Sequence, residues 1–141
     1  MSYYNDFQAS LFAFCKAVAA QYNMKVFKFD ASTQIHEMPA EDVIGVAEFT
    51  IESDGLDVGH AMIMVSTVDD KNLDRMDAVI GDLYQRLMPS KKIPFVLASN
   101  GQHRGLLTVM EGTKVLPVAK TSTRPLKAVA VRLGADRPQS P

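Results

Sequence analysis

Three histidines, one cysteine and sixteen acids are the groups in this sequence that could hold a metal or move a proton. His36, His60 and His103 lie too far apart for any zinc-ligand spacing, and one cysteine cannot build a thiolate site within a subunit. Only a site gathered from residues distant in sequence stays open. Cys15 has no base nearby in sequence, and Gly-x-Ser-x-Gly is absent, so no nucleophile motif presents itself. The run Asn100-Gly101-Gln102-His103-Arg104-Gly105 could bind an anion. It lacks the phosphate-loop pattern, however, and no helix is expected after it, so a tight loop between strands accounts for it better. If Arg104 acts from that loop, the chemistry open to it is reaching an acidic surface on a partner. The acids around Glu41–Asp42 and Asp54–Asp57 flank turns, where solvated charge is expected. The pattern therefore predicts no catalytic residue, no cofactor and no metal.

The elements that would position these groups follow from periodicity. Phe7, Leu11, Phe14, Cys15, Val18 and Tyr22 recur at steps of three and four, which predicts a helix over 5–22. Asn5 or Asp6 is expected to cap it and Asn23 to stop it. This places Cys15 on a buried face as a small hydrophobe. Lys25–Asp30 alternates like a strand, and 31–41 reads as a loop around Pro39. Asp42–Ser53 and Val58–Val68 form a hairpin around Ser53-Asp54-Gly55. In the first strand Val43, Ala47, Phe49 and Ile51 share a face opposite Glu48, Thr50 and Glu52. In the second, Ala61, Ile63 and Val65 oppose His60, Met62, Met64 and Ser66.

A second helix carries Leu73, Met76, Ile80, Leu83 and Leu87 on one face, with Asp69 or Asp70 as cap and Pro89 as its end. Strands are expected at Ile93–Ala98, Gly105–Met110, Lys114–Lys120 and Leu126–Leu133. Pro94 and Pro117 assign theirs to an edge or a break. The whole reads as one α+β domain over 1–133, a mainly antiparallel sheet packed against two helices, with a loose tail over 134–141.

The 141 residues suit a single core, and 47% hydrophobic with 22% charged residues is ordinary for a globular protein. No apolar run reaches the ~20 residues that span a bilayer, and the opening residues lack a signal-peptide pattern. A lone cysteine suits a reducing compartment. Net charge is −1, which argues against specific or strong nonspecific nucleic-acid binding. The distribution is uneven. Residues 1–70 hold eleven acids and three lysines, whereas residues 71–141 hold five acids and twelve bases. Either the halves interleave into a mixed surface, or two faces of opposite sign favour head-to-tail association of identical copies. On the second reading Glu41, Asp42, Glu52 and Asp54 face Arg124, Lys127 and Arg132 of the next copy. The bases Lys114, Lys120 and Arg137 extend the same stretch. Met62 and Met64 are core if a helix covers their face, and an adaptable contact surface if none does.

The element order, helix–strand–hairpin–helix–strands over residues 5–133, resembles the tail-terminator proteins of long-tailed bacteriophages. The resemblance implies a non-enzymatic subunit without cofactors, found in the virion tail and assembled in the host cytoplasm. Its partners would be copies of itself in a hexameric ring, the tail tube and the head connector. A secretion-chaperone-like domain shares the first elements but carries a third helix near the C-terminus, where Leu126–Leu133 predicts a strand. A small enzyme would need titratable groups converging in an apolar pocket.

Overall fold

The computed structural model describes residues 3–28, 40–54, 56–117 and 124–135. Two helices, α1 (Tyr3–Tyr22) and α2 (Asp74–Arg86), pack on one face of a curled, mostly antiparallel sheet. Its strands are β1 (Lys25–Val26), β2 (Val43–Asp54), β3 (Leu56–Ser66), β4 (Lys92–Val96), β5 (His103–Val109), β6 (Lys114–Pro117) and β7 (Leu126–Ala135). They run in the order β1-β2-β3-β7-β5-β4, with β6 beside β7. Only β1 and β2 pair in parallel. The last strand thus enters the middle of the sheet. It pairs with β3 from Asp57↔Ala135 to Ser66↔Leu126 and gives its other edge to β5 and β6. The α+β class and the antiparallel hairpin follow the sequence pattern. Pro94 lies in the terminal strand β4, and Pro117 ends β6, as their missing N–H groups require.

The core is the meeting of the two predicted stripes. Phe7, Leu11, Cys15 and Val18 from α1 and Met76, Ile80 and Leu83 from α2 bury against Ala61, Ile63 and Val65 of β3 and Val129, Val131 and Leu133 of β7. Each large apolar side chain fully buried there contributes about 1.5–3 kcal/mol. Cys15 is wholly buried, and loss of hydration pushes its thiol up to about 12. Gly59 sits where a Cβ would come within 2.9 Å of the Phe49 ring and 3.0 Å of the Phe7 ring. The absent side chain is what lets the Phe7 and Phe49 rings come close to the strand, with Phe7 also packed against Phe95.

Three local expectations are corrected. The first strand does not keep one alternation, because a bulge between Val46 and Glu48 exchanges its faces. Before it Ile44 and Val46 face the helices rather than Val43. After it Phe49 and Ile51 do so as expected. Helix α1 begins at Tyr3, so Asp6 lies within its first turn and is not the cap. Asp57 is buried rather than solvated. Asn23 does stop α1, in the left-handed region at φ 55°. Most of the predicted 31–41 loop, residues 29–30 of the predicted 25–30 strand, residues 118–120 of the predicted 114–120 strand, and 136–141 of the tail lie outside the described residues.

Helix α2 is capped from a distance. A 3₁₀ turn, Lys71–Leu73, precedes it, with Asn72 and Leu73 both left-handed at φ 65° and 60°. This turn brings the Asp70 carboxylate back to accept from the Arg75 N–H at 3.0 Å and the Met76 N–H at 2.8 Å. Burial alone would raise the Asp70 pKa, but those amides and the Arg75 charge outweigh it and hold Asp70 below its usual range. At the far end Arg86, then the Tyr22 hydroxyl, lower Asp82 in the same way. The same 2.6 Å bond raises Tyr22, and Asp82 raises Arg86. Both carboxylates have folded values below their unfolded ones. The stability they contribute is therefore full above about pH 5 and is lost as pH falls through about 4 and below. Urea midpoints measured from pH 6 to pH 3 are expected to fall, and to fall less steeply in an Asp70→Asn, Asp82→Asn variant.

Candidate functional site

The face of the sheet turned away from the helices carries the polar and soft residues that the alternation sets opposite the core. Across β2, β3, β7 and β6 it presents Glu48 and Thr50, His60 and Met62, Ala130 and Arg132, then Lys114 and Leu116. Together they line a concave pocket of about 330 Å³. Neither helix covers it, because α1 and α2 bury their stripes on the opposite face. Met62 and Met64 are half-buried here and stand outside the helix-facing core.

Charge is graded across this face. Glu48 and Glu52 stand exposed on β2, while Arg132 and Lys114 stand exposed on β7 and β6. Between them His60 Nε2 lies 3.3 Å from the Glu52 carboxylate, outside hydrogen-bond geometry. Arg132 is the register partner of His60 on β7, and its stem passes near Gly112. Among the described residues no three or more His, Cys, Asp or Glu side chains gather into a metal cage. The mixture of two acids, three bases and a floor of Met62, Leu116 and Ala130 suits a protein surface, where buried apolar area gives affinity and rim charges fix register.

The seven residues expected at a contact between copies fall into two groups. Glu52 and Arg132 lie on this open face. Asp54 ends β2 at the tip of the β2–β3 hairpin. The others are engaged around the start of β2 and on the helix side. Asp42 accepts from the Val68 N–H at 2.8 Å and pairs with Arg75, which also donates to the Tyr22 carbonyl. Arg124 is buried and donates to the Glu41 carbonyl at 2.6 Å, and loss of hydration lowers its pKa. Glu41 itself stays exposed, 3.3 Å from Lys25 Nζ. Lys127 pairs with Asp77 of α2 at 2.8 Å. The acidic and basic halves of the sequence thus interleave, and ion pairs of Arg75 with Asp42 and Arg104 with Asp6 join them within the chain.

Arg104 reaches an acid, but one in its own chain. It pairs with Asp6, whose side chain is fully buried, and its guanidinium lies 4.9 Å from the Phe95 ring centre. Asp6 also accepts from the Ala98 N–H at 2.8 Å, and Ser10 Oγ accepts from the Val96 N–H at 2.8 Å. The run Asn100–Gly105 splits between a tight connection that ends at Gln102, closed by Leu97 N–H to the Gln102 carbonyl and by Gly101 at φ 74°, and the start of β5 at His103. Sequence spacing could not reveal this cluster, since Asp6 and Arg104 are brought together only by the packing of α1 on β4 and β5.

No family model matches the chain, and no curated protein matches it. Its fold is similar to that of a chain in the virion of a native gene transfer agent particle, with a TM-score of 0.54 and 18% identity over 91% of this chain and 94% of that one. A second solved chain aligns with a TM-score of 0.50 and 16% identity over 96% of this chain and 92% of the other. At these identities the likeness is one of fold.

Proposed function

We propose that this chain is a non-enzymatic virion assembly protein, a tail terminator. Its copies close into a hexameric ring that caps the tail tube and joins it to the head connector. The observation that carries this reading is the near end-to-end likeness to a chain of a gene transfer agent virion. The element order pointed the same way. The strand Leu126–Ala135, central in the sheet, stands where a secretion chaperone would place a helix. The open face supports an assembly role. A heterologous contact that sets the acidic β2 side of one copy against the basic β7–β6 side of the next closes into a ring when its rotation divides a full turn.

In this reading Glu52 and Asp54 meet Arg132, with Lys114 beside it. Asp42, Arg124 and Lys127 hold the shape of the surface through their own-chain partners, and Glu41 lies at its border. Rim pairs of this kind contribute about 0.2–1 kcal/mol each, so reversal is more informative than deletion. Arg132→Glu is expected to slow or abolish association at low salt, and Glu52→Lys in the same chain to restore it in part. Light scattering during assembly checks this. Association of the Arg132→Glu chain at the parent rate at low salt would refute the pairing.

A further inference from the structure

The two ends of the sheet are chemically unlike. At the β4 end the outward main-chain positions from Pro94 onward offer no free donor. Pro94 has no N–H, the Val96 N–H goes to Ser10 Oγ and the Ala98 N–H goes to Asp6 Oδ1. Helix α1 thus seals this edge against another strand, a device that prevents sheets from joining edge to edge. At the other end β1 covers β2 only at Val43 and Ile44, with the Phe27 N–H donating to the Ile44 carbonyl. From Val46 to Asp54, β2 has β3 on one side and, among the described residues, no strand on the other.

Beside that stretch lies a groove of about 410 Å³ whose apolar part is Ala9 and Phe12 of α1 with Val46, Ala47 and Phe49 of β2, and whose polar rim includes Gln8, Lys28 and Glu48. On the opposite side of the same strand Thr50 and Glu52 stand exposed, and the exposed Glu48, just past the bulge, borders both the groove and that side and forms no ion pair among the described residues. We infer that the outer edge of β2 from Val46 to Glu52 is a strand-accepting site. It would take an extended segment of a partner protein in which apolar residues alternate with lysine or arginine. The main chain of the segment would continue the sheet. Its apolar side chains would enter the groove, and its basic ones would stand beside Glu48 and Glu52. The site shares Glu52 with the proposed contact between copies, but its main-chain ladder and groove use neither Arg132 nor Lys114, so the Arg132→Glu chain should bind the segment as the parent does.

The test uses the full chain and a labelled, end-capped peptide of about eight residues alternating valine and lysine. Saturable binding is expected, with new amide protection confined to residues 46–54. A peptide N-methylated at alternate residues should not bind, because it cannot complete the ladder. Glu48→Lys with Glu52→Lys, both at exposed positions, should weaken the valine–lysine peptide about tenfold and favour a valine–glutamate one. No binding, or binding indifferent to N-methylation and to charge reversal, overturns the proposal. Amides 46–54 already protected in the dilute chain would show the edge covered by the chain's own residues. Protection rising with protein concentration alone would assign it to a second copy. Either result also overturns it.

Discussion

Replacing Arg104 by methionine is expected to lower folding stability by about 3–5 kcal/mol, a large part of the 5–15 kcal/mol typical of a domain. The reason lies with its partner. The Asp6 side chain has no exposed surface, and its charge is balanced by Arg104 and by the Ala98 N–H. Methionine keeps the bulk of the stem, but it removes the guanidinium from the Phe95 ring and leaves a buried carboxylate without its cation. The double variant Asp6→Leu, Arg104→Met should recover much of the loss, since removing both charges removes the desolvation cost of each. Urea unfolding gives the result directly, and a loss below about 1 kcal/mol for Arg104→Met would show that the pair contributes only as a surface ion pair does.

Asp42→Lys is expected to have a similar effect, about 3–5 kcal/mol, and to act on the subunit rather than on assembly. Asp42 is mostly buried, accepts from the Val68 N–H and pairs with Arg75. Arg124 lies close enough for its charge to be supported by Asp42. A lysine there strands the amide and places a third cation beside two guanidinium groups. Arg75 is 40% exposed, so its share is screened by water. The larger loss comes from the amide and from Arg124. Unfolding measured at high dilution, where copies are separate, should show the full loss. A stable, dilute subunit that merely fails to associate would place Asp42 at an interface instead.

These two sites show where sequence reading succeeds and where it stops. The stripes of α1 and α2, the β2–β3 hairpin, the stop at Asn23 and the edge position of Pro94 are local, and spacing or backbone chemistry dictates each of them. The bulge at Ala47 is equally local but leaves the composition of the strand unchanged, so alternation carried Val43 to the wrong face. The insertion of β7 between β3 and β5 depends on pairing at long range. Asp6–Arg104 and Asp42–Arg75 depend on it as well, and a carboxylate in a sequence has no mark of the cation that will meet it. The open face was legible as a set of residues, because Met62, His60 and Glu48 share one side of their strands. Whether a helix covered it was not, since both faces of the hairpin carry apolar residues.

Closure of copies into a ring is the proposal on which the assembly role rests. The most direct test is the mass of the native assembly, taken by light scattering on the eluting peak at low salt and again near 1 M salt. The account predicts a single species near six times the 15.5 kDa chain mass. It should form more slowly at high salt, where the Debye length is about 3 Å, and it should persist once formed. A chain that remains at 15.5 kDa, or stops at a dimer, at every concentration and salt would contradict it.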